Sequence, residues 1–262
     1  MIKVGCITGT GFYNLTGFEL LQTKIVKTPF GEAEVEIGTL HGKEVCIISR
    51  HGKTHSIAPG KINYRANLYA LHMLGVNVVL ATSVCGTIDA TRNLGDLIMM
   101  DQILNFSQGR VDSFYPLDGK LAHVDVTYPY CKDLKKIISE ESNKMGIDIA
   151  DGGVYCCFSG PRFETKAEIE MARILGGTQA GHTNYPECIL ARELAMSYAT
   201  IGVISNYAAG VSVGSDKVVA DDLNKTVGKL GSTISDLFAN VVQSIPDTFD
   251  SAAMHALDSA FI

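Results

Sequence analysis

The chain has no Cys-x-x-Cys pair, no apolar run near the roughly 20 residues that cross a bilayer, no excess of basic residues and only seven prolines. Each absence removes a class of protein. The seven cysteines, at 6, 46, 85, 131, 156, 157 and 188, are odd in number, and several lie inside apolar runs. They read as small core residues in a reducing cytoplasm, not as a disulfide or metal framework, so no metal site is expected. With 22 basic against 28 acidic residues, binding to nucleic acid or a membrane surface through bulk charge is not expected. The start, Met1-Ile-Lys-Val-Gly-Cys-Ile7, goes straight into a strand without the layout of a signal peptide, and the expected location is cytoplasmic. No repeat, linker or composition shift divides residues 1–262, which are expected to form a single domain. At 46% apolar and 19% charged, 262 residues suffice for one large core.

What is present is an alternation of apolar strands and amphipathic helices. Residues 2–8 are β-rich and end in Thr8-Gly-Thr-Gly11, which either offers backbone N–H groups to an anion or is a plain tight turn. A dinucleotide fingerprint needs glycine at position 14, where Asn stands, and a helix directly after it; an NAD-dependent oxidoreductase is disfavoured. Residues 33–40 and 44–49 flank His41-Gly42 as a hairpin. Its second strand empties into Arg50-His-Gly-Lys-Thr-His55, with four potentially cationic groups in six residues. That run reads as an anion pocket or as a solvated basic loop. A helix spans about 62–74, and a buried strand, 78–83, leads into Val84-Cys-Gly-Thr87. Another strand covers 95–101. Residues 105–130, which include His123, show no period and are expected to be a long functional or interface loop. A helix over 132–145 directs Leu134, Ile137, Ile138 and Met145 to one side.

The stretch from Tyr155 to Glu168 organises the rest. It is a short strand, a Gly160-Pro161 stop, and then a helix opened by Thr165 and Glu168 in a Thr-x-x-Glu capping box. Phe163 and Glu164 sit at the corner, where a ring can stack on a flat heterocycle and a carboxylate can accept from its edge N–H. The alternative is a packed Phe beside a solvated Glu. The helix is expected to bury Ala167, Met171, Ile174 and Leu175. Thr183 precedes a further helix with Pro186 in its first turn and Ile189, Leu190, Leu194 and Tyr198 facing inward. Residues 199–205 form a buried strand ending in Asn206, and a last helix covers about 221–242. By the open-sheet rule, the strand-end groups Thr10, Arg50, His51, Ser83, Glu164, Thr183 and Asn206 converge on one cleft.

Over almost its whole length the sequence resembles the trimeric nucleoside phosphorylases, in the branch of purine nucleoside and methylthioadenosine phosphorylases. The resemblance is carried by Gly9-Thr-Gly11, by Arg50, His51, Gly52 and His55, and by Pro59, Lys61, Asn63, Tyr64, Ala66 and Asn67. It continues through Cys85-Gly86, Gly95-Asp96, Gly160-Pro-Arg-Phe163, Thr183 with Pro186-Glu187, and Ala191-Arg-Glu193. It implies an α/β fold with a mixed central sheet flanked by helices, and phosphorolysis: phosphate attacks C1′ of a nucleoside and releases the base. Carried over by position, Gly9, Thr10, Arg50, His51, Ser83, the backbone of Val84, and Thr183 bind phosphate. His51 and Asn206 are the expected catalytic residues. Phe163 packs on the base, Asn206 hydrogen-bonds it, His182 stands where the family usually has a ribose-facing Met, and Ala208 and Val219 complete the base and sugar contacts. His123 matches a residue that reaches a neighbouring subunit's sugar pocket, which implies a homotrimer. Inorganic phosphate is then a co-substrate, and no cofactor is implied.

Relatives acting on 6-aminopurines usually carry Ser, Asp and Asp where this chain has Glu164, Asn206 and Ala208, whereas the Glu/Asn pair goes with 6-oxopurines. The chemistry agrees: hypoxanthine and guanine present an N1–H donor for a carboxylate and an O6/N7 edge for an amide NH₂. Adenine turns a lone pair at N1 toward the same carboxylate. The expected substrates are therefore inosine, guanosine or 5′-methylthioinosine. Val219 leans toward the methylthio sugar, while His182, Asn184 and Asp222 depart from the family pattern. The competing readings are a methylthioadenosine phosphorylase, a non-catalytic nucleoside-binding protein, and a hydrolase using water.

Overall fold

The computed structural model describes residues 2–9, 15–211 and 220–261. Its centre is β1 (Val4–Thr8), in which all five residues are buried. β1 lies parallel to β4 (Lys43–Ser49) on one side and to β5 (Val78–Thr87) on the other. Strands covered on both faces must be apolar throughout, and β5 is so up to Ala81. The expected hairpin forms between β3 (Gly31–Leu40) and β4, closing at Leu40 opposite Lys43. Outside it lies β2 (Glu19–Thr28), an edge strand that escaped the sequence reading because eight of its ten residues are exposed and show no alternation.

The other half of the sheet closes on itself. β6 (Leu97–Asn105), β7 (Ile149–Cys157) and the three-residue β8 (Gln179–Gly181) run parallel to one another. β8 meets the end of β5 antiparallel, with Gly86 opposite Ala180. β9 (Ser197–Tyr207) pairs with both β5, in parallel, and β6, antiparallel. Among the described residues, the sheet order is thus β2-β3-β4-β1-β5-β8-β7-β6-β9, with β9 returning to β5.

Helices cover both faces. α1 (Tyr64–Met73) packs with α4 (Asn184–Glu193) over one, and α2 (Lys132–Lys144) with α5 (Ala220–Ser244) over the other. Side chains such as Leu68, Leu71, Leu134 and Leu237 are wholly buried. Each contributes about 1.5–3 kcal/mol by leaving water. All seven cysteines are free and buried. Burial pushes the thiols of Cys6 and Cys85 up to about 12, so they behave as small apolar residues. No helix among the described residues is long and apolar enough to cross a membrane.

Two expectations are corrected. α3 (Lys166–Ile174) buries Ile169 and Ala172, one turn apart, whereas Ala167, Met171, Ile174 and Leu175 face outward. The helix offers two apolar stripes, and the thinner one fits the small cluster formed with Phe158, Ala180 and Ala208. Tyr198 belongs to β9 and not to the preceding helix; its ring is buried nonetheless.

Candidate active site

A cavity of about 490 Å³ opens where the parallel strands β1, β4, β5 and β9 end, and its wall includes Gly9, Arg50, His51, Val84, Phe163, Glu164, His182, Thr183, Asn206 and Ala208. The open-sheet rule accounts for Gly9, Arg50, Val84 and Asn206, which follow or end those strands. Glu164 and Thr183 arrive differently. They follow β7 and β8, which run against β5, and the closed half of the sheet carries them to the same cavity. The hydroxyls of Thr183 and Ser83 are consequently 3.4 Å apart.

At one end, Arg50 is 1% exposed and forms a two-pronged ion pair with Glu187, both bonds being 2.6 Å. Its Nη1 donates to the Thr82 carbonyl at 2.9 Å. Glu187 also accepts from the Tyr198 hydroxyl (2.7 Å), which in turn accepts from Thr200 (2.8 Å). The neighbouring Asn184 is wholly buried, and its oxygen faces Tyr198 and Thr200. A buried guanidinium without a counter-charge is costly, so this network is what allows Arg50 to sit there. Sequence reading missed Glu187, although a signal existed: positions 187, 190, 191 and 194 form one buried helical stripe, and a carboxylate inside it needs a cation.

The run 50–55, which reads from sequence as an anion pocket or a solvated basic loop, carries less free charge than its residue count implies. Arg50 is neutralised by Glu187. Lys53 turns away to pair with Glu36 and Glu34, at 2.7 and 3.3 Å. His51 is pushed down to about 4, chiefly by burial and further by the charge of Arg50, against the opposing effect of its bond to Ile57. His55, whose ring stands 4.5 Å from that of His51, is also lowered by burial. The imidazole of His51 is therefore neutral at pH 7. Its Nδ1 is 2.8 Å from the Ile57 carbonyl, which only accepts, so the hydrogen is on Nδ1 and Nε2 is an acceptor.

Gly9 lines the cavity, but its N–H is donated to the Thr82 hydroxyl at 3.2 Å and does not face an anion. Ser83 lies deeper than expected, with its hydroxyl between Tyr155 and Thr183. Tyr155, which the sequence reading treated only as apolar, accepts from both the Ser83 hydroxyl and the Thr183 N–H. This arrangement needs glycine at 181, where any Cβ would lie 2.0 Å from the Tyr155 oxygen. α4 carries a non-helical Tyr185, so its regular part begins at Pro186, and Thr183 stands ahead of it with a hydroxyl not spent on capping. Thr10 and Val219, and the side chain of Asp222, lie outside the described residues.

At the other end, the capping box forms: Thr165 Oγ1 accepts from the Glu168 N–H (3.2 Å), and Glu168 accepts from the Thr165 N–H (2.7 Å). Arg162 grips the same carboxylate at 2.7 and 2.9 Å and, with the Thr165 bonds, lowers Glu168 to about 2. Phe163 and Glu164 stand between these anchors. Asn206 donates to the Tyr207 carbonyl (3.1 Å), which fixes its amide, and its oxygen accepts from Ser205 (2.7 Å). One Nδ2 hydrogen remains beyond the Tyr207 bond. Arg110, another residue missed in the sequence, ties the 105–130 loop to the carbonyls of Tyr185, Phe158 and Ser159. His123 is exposed in that loop, outside the cavity of its own chain, with its N–H donated to Ala260 at 2.8 Å.

A mixed sheet half open and half closed, with an aromatic, a carboxylate and an amide facing a guanidinium and hydroxyls across one cavity, defines the α/β phosphorylases of nucleosides as a class. The family described as the phosphorylase superfamily matches residues 3–242, and the chain belongs to it. It is 40% identical to the 6-oxopurine nucleoside phosphorylase of Pyrococcus furiosus, over 99% of both chains. It is 38% identical to a probable S-methyl-5′-thioinosine phosphorylase of Methanothermobacter thermautotrophicus, over 98% of this chain and 89% of that one. Among solved structures, the methylthioadenosine phosphorylase of Schistosoma mansoni in complex with adenine superposes with a TM-score of 0.92 at 26% identity, covering 99% of this chain and 97% of that one.

Proposed function

We propose that the protein cleaves 6-oxopurine nucleosides by phosphorolysis, yielding the free base and a ribose or methylthioribose 1-phosphate. The observation that carries this reading is that Glu164 and Asn206 share one cavity with Phe163, which Arg50 and Thr183 also line. An ionised Glu164 accepts the N1–H of hypoxanthine or guanine, and the remaining Asn206 hydrogen serves the O6/N7 edge. As the C1′–N9 bond breaks, its electron pair moves into the purine, and the Asn206 N–H stabilises the negative charge gathering there. The sugar becomes oxocarbenium-like and is captured by phosphate held below C1′ by Arg50, Thr183 and the backbone of Val84. The neutral His51 adds a specific function: its Nε2 accepts the hydrogen of monohydrogen phosphate and turns an unprotonated oxygen toward the sugar. The reaction so written calls for neither a covalent nucleophile nor a resident metal or other cofactor.

The working form is a homotrimer in the cytoplasm, in which His123 serves the cavity of a neighbouring copy. The exposed Met171, Ile174 and Leu175 on α3, an apolar face on a chain with a net charge of −6, support association. The deciding experiment is a panel of inosine, guanosine, adenosine and their 5′-methylthio analogues, with and without phosphate. The expected result is phosphate-dependent release of hypoxanthine or guanine together with sugar 1-phosphate. Cleavage that ignores phosphate indicates a hydrolase, and preferred cleavage of methylthioadenosine overturns the 6-oxopurine reading. Light scattering checks the trimer.

A further inference from the structure

The carboxylate facing the base is not steered by its own loop. Glu164 Oε1 lies 2.9 Å from Nε2 of His182, the residue that follows β8. The two side chains are 7% and 18% exposed. An ionised carboxylate only accepts, so the hydrogen is on Nε2. The imidazole is seated against the corner a second time: a Cβ on Gly160 would meet its Cγ and Nδ1 at 2.8 Å, and Gly160 adopts φ +63°, which disfavours any other residue. The Gly160–Glu164 corner therefore holds the ring at two points. One oxygen of Glu164 is thereby bound, on a carboxylate that lines the cavity.

We propose that His182 is a specificity-determining positioning residue, pinning one oxygen of Glu164 so that the other meets the purine N1–H and cannot swing away from an N1 lone pair. The proposal rests on the 6-oxopurine reading above and deepens it. A glutamate has three side-chain torsions, and fixing them on folding removes that entropic cost from substrate binding. The larger consequence concerns the wrong substrate. A free carboxylate facing adenine N1 relieves the repulsion by rotating, whereas a pinned one does not, so discrimination depends on the pin as well as on the charge.

The test compares wild type, His182→Met and His182→Gln, with kcat and KM measured on inosine-type and adenosine-type nucleosides in the presence of phosphate. Methionine has no donor, while the glutamine amide places an N–H at a similar reach. The Met variant is expected to lose about tenfold or more of the 6-oxo over 6-amino preference, mainly through KM, and the Gln variant to regain most of it. If the Met variant keeps the wild-type preference, or the Gln variant recovers none of it, the proposal is overturned. Should the Met variant fail to fold, the Gln variant decides alone: a retained preference supports the pin and a lost one overturns it. Wild-type enzyme that cleaves no 6-oxopurine nucleoside sinks the underlying reading instead, a result distinct from any of these.

Discussion

The two ends of the cavity are built on opposite principles. The end carrying Arg50 and Thr183, proposed above for phosphate, is set on strand ends and the first turn of α4, and its charges are buried: Arg50 and Glu187 are 1% and 0% exposed. The end carrying Phe163 and Glu164, proposed above for the base, is a corner between β7 and α3, held by Arg162 and Glu168, which are 67% and 31% exposed. Every nucleoside phosphorylase needs the same anion in the same place, so rigid construction suits the first end. The second must tell one purine from another, and a corner anchored from the surface can change its residues without disturbing the core. The energetic expectations differ accordingly, since breaking a buried pair is expensive and breaking an exposed one is not.

Glu187→Ala tests that contrast most severely. It strands a buried guanidinium and removes the acceptor for Tyr198, so the expected loss is about 3–5 kcal/mol, read from denaturant unfolding. A loss no larger than that of an exposed pair would erase the distinction between the ends. Next in size is a change of selectivity at the base end. Glu164→Ser combined with Asn206→Asp is expected to move the preference toward adenine nucleosides by about 10²–10⁴-fold in kcat/KM, while the melting temperature changes little. His182 loses its partner in this variant, which keeps the shift below what the base contacts alone would allow.

A third test uses pH. His51 has a folded pKa of about 4 against the ordinary 6.5 of a free imidazole, so between these values the unfolded chain holds a proton that the folded chain does not. Stability therefore falls as pH drops from 6.5 toward 4 and has no further His51 contribution below that. His51→Asn should flatten this part of the stability curve, as followed by thermal unfolding across buffers. An unchanged slope would mean that His51 is not held neutral.

The same contrast explains what could be read from the sequence. The buried strands β1 and β5, the β3–β4 hairpin and the capping box follow from local pattern, because apolar runs, a tight turn and Thr-x-x-Glu carry their own signals. β2 and β8 do not: β2 is mostly exposed, and β8 is three residues long and defined only by its neighbours. Phe163, Glu164 and Asn206 were identifiable because their chemistry is distinctive and they follow strands. Tyr155 and Glu187 were not, because their roles depend on partners far along the chain. Positions 50–55 misled for a related reason: charge counted along a segment does not reveal that Glu187 and Glu36 will cancel it. The outward turn of Ile174 and Leu175 belongs with these, since two apolar stripes on one helix leave the choice to tertiary packing.

The smallest expected effect lies at the corner itself. Thr165→Ala removes one capping bond on an exposed helix end and should cost about 1 kcal/mol, several-fold less than Glu187→Ala. The Arg162 pair is more exposed still, and Arg162→Ala should cost less than about 1 kcal/mol. Arg162 acts through the Glu168 carboxylate, whose folded pKa of about 2 lies below the ordinary 4.5 of a free glutamate. Its contribution is fully present above pH 4.5 and is lost as pH falls toward 2. Arg162→Ala should therefore differ from wild type at pH 7 and converge with it near pH 2, whereas Thr165→Ala, which loses the bond from the Glu168 backbone N–H, should keep its difference across that range. On the proposed function, a corner that contributes so little to stability leaves room for Glu164 and its neighbours to change. If Thr165→Ala instead destabilised the protein as much as Glu187→Ala does, the base end would be part of the rigid core, and substrate preference could not have been varied there independently of the fold.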